Sequence, residues 1–378
     1  MTDKNDFGRI VFEHNGALGD MLAAWPAALS LFAHFRTASH FFRTRPGHAP
    51  FFAALGSVPC PSLLCRELDA LYGAPGWPVA LADTLVVRPG LFRRPDVPDD
   101  PRFLFLPGVV PGRFDPPRDL YREALAGLGI PWRDDWLAVF RDRFEGRTPS
   151  AAALGRATAI ASHAPNGLIG AIGLSDPAST AGLADTAGTA GMAGTAGTAG
   201  TEKQGPPAVL LFPGAGHVKK TWPMAHFLLL AGMLAKSGLK PVFMLGPAEL
   251  ERGVACGPWP SLAPENLMDL MAAMRQARAV LGPDCGPMHL AGLLGVPGVS
   301  IFGPTSPRQW GPPGMAVVTA DMPCSPCVTV TSGEFAPECP VPPPCLADVS
   351  VERAYAALKK SGLPPRTPPG ENHFPRTP

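Results

Sequence analysis

The sequence has no long uninterrupted apolar run. Its most apolar early segment, residues 21–33, contains Pro26 and is shorter than the about 20 residues that a helix needs to span a bilayer. The first residues, MTDKNDFGRIVFEHNG, are polar and lack the apolar core of a secretory signal. We therefore expect a cytoplasmic protein.

The sequence also has no basic tract, and its net charge is only +1, so no nucleic-acid partner is expected. Eight cysteines in 378 residues are too few for a disulfide scaffold, and in a reducing compartment they would be thiols or metal ligands. Near the glycine-bearing loops described below there is no D-x-D motif for a catalytic metal.

The length exceeds what one hydrophobic core usually supports and predicts two domains. Residues 148–206 include the repeat TAGTAGMAGTAGTAGT, which has too little apolar bulk to form a core. We interpret this segment as a disordered linker. It separates an N-terminal domain, residues 1–147, from a C-terminal domain, residues 207–360, and the Pro-rich residues 361–378 form a disordered tail.

The most informative stretch is residues 278–311, which predicts a buried strand, a turn, a helix and a second strand. In a parallel α/β unit, the helix after such a turn points its N–H groups at the ligand-binding edge of the sheet. An anion is thus expected at Gly286, Pro287 and Met288, flanked by Asp284 and His289. The alternative is that Asp284 only caps the helix and His289 only packs in its first turn.

Two other turns have the same form. A strand at residues 8–13 is followed by Gly16-Ala17-Leu18-Gly19-Asp20 and a helix, so Asp20 lies in a first turn, where the helix dipole stabilises its charged form. A strand at residues 208–212 leads to a loop containing Gly214, then to Lys219 and Lys220. These lysines suit a phosphate, although solvated loop lysines have the same pattern.

The segment DCGPMHLAGLLGVPGVSIFGPT, residues 284–305, resembles the C-terminal signature of glycosyltransferase family 9, the heptosyltransferases of lipopolysaccharide assembly. The turn from Gly16 to Asp20 and the element Lys220-Thr221-Trp222-Pro223 resemble two further motifs of that family. Cys285 departs from the pattern, because a hydroxyl residue that could donate to phosphate is common there. The resemblance covers residues 8–35 and 207–348.

The resemblance implies an α/β fold of the GT-B type, with two Rossmann-like domains facing each other across a cleft. It implies inverting, metal-independent transfer of a heptose from a nucleotide-sugar, with ADP-heptose as the expected donor, to a lipopolysaccharide core or related glycolipid acceptor. No cofactor is implied, and the protein could contact the inner face of the inner membrane. A nucleotide-sugar epimerase and a non-catalytic nucleotide-sugar-binding protein are the alternatives.

The resemblance also implies roles for individual residues. Asp20 corresponds to the general base, Lys220 to a ligand of the donor diphosphate with Lys219 as support, and Glu249 to a ligand of the nucleoside ribose. On the acceptor side the sequence offers only an arginine-rich N-terminal part, with 16 Arg against one Lys in residues 1–147. The candidates there are Arg43, Arg45, Arg93 and Arg94.

Four cysteines near the C-terminus, Cys324, Cys327, Cys339 and Cys345, begin with a C-x2-C pair. Their ligand types suit a structural zinc ion, but the spacing of the second pair is irregular for a zinc ribbon or finger. Similar cysteines occur in this region of the family. A structural zinc site and four free thiols are both open interpretations.

Overall fold

The computed structural model describes residues 7–145, 208–327 and 339–362. The predicted linker therefore lies entirely outside the described residues, as does nearly all of the predicted tail. Within the described parts, no helix combines the length and the apolar content needed to cross a membrane.

The first half of the chain forms a five-stranded parallel sheet with the strand order β3-β2-β1-β4-β5. Its strands are β1 (Arg9–His14), β2 (Ser39–Thr44), β3 (Val58–Pro59), β4 (Thr84–Gly90) and β5 (Phe103–Pro107). Its helices are α1 (Leu18–His34), α2 (Ala49–Ala53), α3 (Ser62–Leu71), α4 (Pro117–Gly127) and α5 (Trp136–Glu145). Short 3₁₀ turns cover Pro46–His48 and Val79–Leu81.

The second half forms a six-stranded parallel sheet with the order β11-β10-β9-β6-β7-β8. Its strands are β6 (Ala208–Leu211), β7 (Lys240–Met244), β8 (Ser261–Leu262), β9 (Ala279–Pro283), β10 (Gly298–Phe302) and β11 (Ala316–Thr319). Its helices are α6 (Met224–Lys236), α7 (Pro247–Glu251), α8 (Leu267–Gln276), α9 (Gly286–Leu293), α10 (Pro307–Trp310), α11 (Pro344–Asp348) and α12 (Val351–Lys360). A 3₁₀ turn covers Val218–Lys220.

Alternation along the strands distributes the apolar side chains among three clusters. In β1, Val11 joins a cluster with α3, whereas Ile10 and Phe12 join the largest cluster. In β6, Leu211 packs in a cluster with α6 and α12, whereas Leu210 joins the same large cluster as Ile10. One hydrophobic core therefore contains residues of both sheets, as expected for two parallel sheets covered by helices on both faces.

Helix α5 connects the two halves. Phe140 stacks against Phe51 and meets the Trp25 ring edge to face, at centroid distances of 6.1 and 5.1 Å. On the other side, Arg141 Nε donates to the Leu293 carbonyl at 2.9 Å, and Arg275 donates to the carbonyl of Phe144. The last helix of the first half is thus bonded to α8 and α9 of the second.

The helix starts of α1 and α9 lie against each other, and two glycines permit the contact. A Cβ atom at Gly286 would lie 2.8 Å from the Leu18 Cβ and 3.2 Å from the Gly19 nitrogen. A Cβ at Gly19 would lie 3.3 Å from the His289 ring. Because real Cβ atoms do not approach other atoms to 2.8 Å, a side chain at Gly286 would push the two helices apart.

We predict that Gly286→Ala lowers the free energy of unfolding by about 1–3 kcal/mol, the usual range for overpacking a well-packed site. Gly232→Ala in α6 is the matched control, because a Cβ there meets nothing within 4 Å. It should stabilise the helix by about 0.5–1 kcal/mol. Chemical denaturation of both variants measures this, and equal effects of the two substitutions would contradict the proposed contact.

Candidate functional site

Asp20 lies where the first sheet ends. After β1 the chain turns through Gly16 and Ala17, and α1 begins at Leu18, so Asp20 lies in the first helical turn as the sequence predicts. Its Oδ2 atom accepts a hydrogen bond from the Ala17 N–H at 3.3 Å. This local bond fixes the carboxylate at the carboxyl edge of the parallel sheet, where α/β proteins bind ligands.

The pKa of Asp20 is raised above its ordinary value. Burial is the largest cause, and the negative charge of Asp284 adds to it. The hydrogen bond from Ala17 and the electrostatic effects of Lys220 and His289 lower the pKa of Asp20. Together they do not outweigh the effect of burial. The helix dipole stabilises the charged form of this carboxylate, as the sequence predicts, but desolvation penalises that form more strongly.

Asp284 follows β9 directly and is almost completely buried, at 5% exposure. Its Oδ2 atom accepts hydrogen bonds from Lys220 Nζ at 3.0 Å and from Thr305 Oγ1 at 2.9 Å, and its Oδ1 atom lies 3.6 Å from His289 Nε2. Burial opposes ionisation, but the charge of Lys220 and the electrostatic contribution of His289 outweigh it and lower the pKa of Asp284 to about 2. The carboxyl group of Asp284 is therefore ionised at neutral pH, and its charge is balanced by groups of the protein.

The start of α9 offers fewer hydrogen-bond donors than the sequence suggested. Pro287 has no N–H, and the N–H of Met288 already donates to the Cys285 carbonyl at 3.0 Å. The Met288 side chain is fully buried in the core, so it does not contact a ligand in this arrangement. Of the three predicted residues, Gly286 supplies the N–H that this helix start can direct at an anion. Cys285 is a buried cap whose thiol pKa is raised by burial to about 12.

The predicted donor-side residues converge at the edge of the second sheet. Lys220 comes from the 3₁₀ turn after β6 and reaches Asp284, and Lys219 precedes it with its N–H bonded to His217 Nδ1 at 3.1 Å. Glu249, in the first turn of α7, accepts from the Gly246 N–H at 2.9 Å. Its carboxylate occupies the space where a Cβ of Gly214 would lie. The glycine is thus needed for Glu249 to reach the loop after β6.

Three of the four acceptor-side arginines have carboxylate partners within the protein. Arg43 pairs with Asp69 at 2.5 Å and with buried Glu13 at 3.3 Å. Arg93 lies 3.3 Å from Asp99, and Arg94 pairs with Asp96. Exposed Arg45 donates to the Asn15 carbonyl at 2.9 Å and, among the described residues, has no carboxylate partner. Of the four, Arg45 has the charge least neutralised by the protein, and it follows β2 at the ligand-binding edge.

The four C-terminal cysteines lie close enough to influence one another. Burial raises the pKa of Cys345 to about 11, and the neighbouring thiols of Cys327, Cys339 and Cys324 contribute to the shift. Within the described part of the chain, no three acidic, histidine or cysteine side chains are arranged to hold a metal ion. Residues 328–338 between the two pairs lie outside the described residues, and the zinc hypothesis remains a prediction.

Two neighbours of the site were not predicted. Thr305 anchors Asp284 and lies just beyond β10, at the same sheet edge, and that position was a signal that could have identified it. Tyr121 in α4 is buried, and its pKa is raised by burial and by the charge of Asp20. No local pattern singles out Tyr121, since only the packing of α4 on α1 brings it near Asp20.

Comparison with known proteins identifies relatives of this arrangement. A model of the family described as glycosyltransferase family 9 (heptosyltransferase) matches residues 132–334, more than half of the chain. Lipopolysaccharide heptosyltransferase 1 of Pseudomonas aeruginosa is 34% identical over 137 residues, covering 34% of this chain and 38% of the relative. In that alignment the chain thus spans well under half of the relative's length.

Two solved structures share the fold over nearly the whole chain. A family 9 glycosyl transferase from Veillonella parvula has a TM-score of 0.55 at 16% identity, with 95% of this chain and 98% of that chain covered. The E. coli heptosyltransferase WaaC with ADP has a TM-score of 0.52 at 16% identity, with 94% and 100% covered. At this identity the similarity establishes the two-sheet, GT-B-like architecture.

The raised pKa of Asp20 predicts a pH-dependent effect of its removal. Stability contributed by a group with a raised folded-state pKa is fully present below the unfolded value of about 3.9 and is lost as pH rises through the folded pKa. Asp20→Asn should therefore melt at a higher temperature than the wild type at pH 8, and the difference should shrink toward about pH 4.

Asp100→Asn is the control of opposite sign for that prediction. The hydrogen bond from Arg102 lowers the pKa of Asp100, so this carboxylate stabilises the fold above about pH 4. Its Asn variant should melt lower than the wild type at pH 8, with the deficit disappearing in acid. Thermal melts between these pH values measure both, and a destabilised Asp20→Asn at pH 8 would contradict the assigned burial effect.

Proposed function

Because the chain belongs to glycosyltransferase family 9, we propose that it transfers a heptose from a nucleotide-sugar donor, ADP-heptose, to a hydroxyl group of a lipopolysaccharide core acceptor. The observation that carries this proposal is the convergence of Asp20 with Lys220, Asp284 and His289 where the edges of the two sheets meet. The Pseudomonas relative is a lipopolysaccharide heptosyltransferase and the E. coli heptosyltransferase structure contains ADP, which agrees with this proposal.

The order of the strands suggests how the donor lies. Glu249 follows β7, Lys220 follows β6, Asp284 follows β9 and Thr305 follows β10, and these four strands are consecutive neighbours in the sheet. With about 4.8 Å between neighbouring strands, the edge from β7 to β10 extends for about 14 Å. A nucleoside at Glu249, a diphosphate at Lys220 and the Gly286 N–H, and a sugar beyond them would fit this order.

Asp284 acts in this proposal as a positioning residue. Its carboxylate is held by Thr305 and in turn holds the ammonium group of Lys220 and orients the ring of His289. The Lys220 charge is thereby fixed beside the position of the diphosphate before the donor binds. A preorganised charge of this kind stabilises the leaving group without reorganisation during the reaction.

Asp20 acts as the general base. It removes the proton of the acceptor hydroxyl while that oxygen forms a bond to the anomeric carbon of the heptose. The bond from the anomeric carbon to the diphosphate oxygen breaks, and ADP leaves with the bonding electrons. Because the acceptor attacks opposite the leaving group, the configuration inverts. A raised pKa makes Asp20 a stronger base than an ordinary aspartate, which favours proton transfer near neutral pH.

The charge on the leaving diphosphate is balanced in this mechanism by Lys220 and the helix start at Gly286, so we propose that transfer needs no metal ion or other cofactor. The acceptor would bind on the side of the first sheet, where Arg45 offers positive charge to an anionic core saccharide. A lipid-bearing acceptor would place the protein in the cytoplasm at the inner face of the inner membrane. The family membership does not favour the two alternatives, a nucleotide-sugar epimerase and a non-catalytic nucleotide-sugar-binding protein.

A transfer assay tests the reaction. Purified protein with ADP-heptose and heptose-deficient lipopolysaccharide should release ADP and add one heptose to the acceptor, detected by mass spectrometry, and EDTA should leave the rate unchanged. Asp20→Asn should reduce turnover by about 10²–10⁴-fold, the usual contribution of a general base. Its affinity for ADP, measured by calorimetry, should be preserved. Full turnover in Asp20→Asn would exclude the proposed base.

Two glycines of one loop test the donor orientation. Gly214→Ala would displace Glu249, whereas a Cβ at Gly216 meets nothing within 4 Å. If Glu249 accepts a hydrogen bond from the nucleoside, loss of that bond weakens the binding free energy of ADP by about 1.5–3 kcal/mol. The affinity for ADP then falls roughly 10–100-fold. Gly216→Ala should bind ADP like the wild type. Equal affinities of the two variants would place the nucleoside elsewhere.

A further inference from the structure

Two cysteines lie side by side at the outer edge of the first sheet, two strands away from β1 and the turn that carries Asp20. Cys60 directly follows β3, and its N–H donates to the Phe42 carbonyl at 2.9 Å, which continues the pairing of β3 with β2. Cys65 lies in the first turn of α3, where its N–H donates to the Pro61 carbonyl at 2.9 Å. A tight turn between strand and helix therefore brings both cysteines to one place.

The two thiols are in contact. The Sγ atom of Cys65 donates a hydrogen bond to the Cys60 carbonyl at 3.4 Å, and a further hydrogen bond joins the thiol of Cys60 to that of Cys65. Both cysteines are free thiols and partly exposed, so a small reagent in solution can reach them. Because the side chains already touch, only a small movement is needed to reach the about 2.05 Å of a disulfide bond.

The surroundings of the pair distinguish one thiol from the other. Electrostatic attraction links the Arg43 guanidinium to both sulfur atoms. A cation beside a thiol favours the thiolate, which is the form that attacks a disulfide. At Cys60, however, burial and the hydrogen bond to Cys65 outweigh this attraction and raise the pKa to about 12. Cys60 therefore keeps its proton at neutral pH, and Cys65 is the thiol that reacts first.

We propose that Cys60 and Cys65 form a reversible redox site, a dithiol that closes to an intramolecular disulfide on reaction with a low-molecular-weight disulfide. The Cys65 thiolate attacks one sulfur of the reagent, the S–S bond of the reagent breaks, and the first thiolate leaves. Cys60 then loses its proton, attacks the Cys65 sulfur and displaces the second thiolate. The protein gives up two electrons and two protons, and the reagent is reduced to two thiols.

Other chemistry of a thiol pair does not fit this place. Within the described ranges, no third histidine, cysteine or acidic side chain joins the pair in an arrangement that could hold a metal ion. Disulfides that form in a reducing compartment are usually transient and redox-sensing. Here the new bond would join β3 to the start of α3, a helix that the ion pairs Arg9–Glu67 and Arg43–Asp69 hold to the sheet farther along. The site is independent of the transfer reaction.

Mass spectrometry of one tryptic peptide tests the proposal. Residues 44–66 form a peptide that contains Cys60, Cys65 and no other cysteine. Native protein equilibrated with oxidised glutathione and then blocked with N-ethylmaleimide should give this peptide two hydrogens lighter and without maleimide. Reduction with dithiothreitol before blocking should restore two maleimide groups. The peptide of residues 253–275 is the internal control, because its single cysteine, the partly exposed Cys256, can carry maleimide or glutathione but cannot close a disulfide within the peptide.

A comparison of native and unfolded protein separates the effect of the fold from closeness in the sequence. In buffers with graded ratios of reduced and oxidised glutathione, the equilibrium constant for closing the disulfide should be about tenfold larger in the native protein than in guanidinium chloride. The reason is that the native structure already holds the two thiols in contact. An equal or smaller constant in the native protein would overturn the site.

A matched pair of serine variants tests the order of the two steps. In Cys60→Ser, glutathione attached to Cys65 should remain bound, because no second thiol displaces it, and the peptide of residues 44–66 should gain one glutathione. Cys65→Ser should gain glutathione more slowly, since Cys60 keeps its proton. Equal rates in the two variants would contradict the assigned order. Wild-type protein that retains glutathione on either cysteine, or that takes up two maleimide groups after oxidation, would overturn the proposal.

Discussion

The buried contact between Asp284 and Lys220 is the interaction on which the candidate site depends. Taking both charges out of water is unfavourable, and their attraction offsets this only when the geometry is good and the remaining lone pairs are satisfied. Here Thr305 donates a hydrogen bond to the Oδ2 atom of Asp284, and His289 Nε2 lies 3.6 Å from its Oδ1 atom. These contacts link the lysine after β6, the aspartate after β9 and the threonine after β10, so side chains from three separate loops form one connected unit.

That unit also determines the state of Asp20, which belongs to the other sheet. The glycines at the starts of α1 and α9 allow the two helices to approach, and the approach buries the Asp20 carboxylate beside one carboxylate and two groups of positive character. Burial raises its pKa, while Lys220 and His289 restrain the rise. The two halves must therefore be in contact for the base to have the properties that the proposed reaction requires.

Local patterns in the sequence predicted the parts of the fold that follow a strand, a glycine turn and a helix. The turn ending at Asp20, the turn containing Asp284 and the lysine loop after β6 were all correctly placed, since each is encoded within about ten consecutive residues. For much of the region from His40 to Phe144 the sequence does not predict secondary structure, because prolines interrupt the hydrophobic periodicity of its strands and helices. The apolar runs at residues 84–87 and 103–106 and the helical pattern at residues 119–128 nevertheless predict β4, β5 and α4 to within three residues.

Properties that depend on packing between distant segments were not predictable in the same way. The direction of the Asp20 pKa shift, the partner of Thr305 and the proximity of Tyr121 all follow from the contact of separate elements. The effect of the helix dipole on Asp20 can be inferred from local sequence. The desolvation that outweighs it arises only when the separate elements pack together. Likewise the start of α9 has fewer free N–H donors than expected, because Pro287 has no N–H and the N–H of Met288 donates to the Cys285 carbonyl.

Helix α5 has a consequence for the order in which the chain is made. The carbonyl of Phe144, near the end of this helix, accepts its hydrogen bond from Arg275, which follows 131 positions later. At a synthesis rate of about 5–20 residues per second, that partner emerges roughly 7–26 s after the helix itself. During this interval the nascent first half has an unfinished helix end and an uncovered apolar face, which is when it is most exposed to chaperones, proteases and other nascent chains.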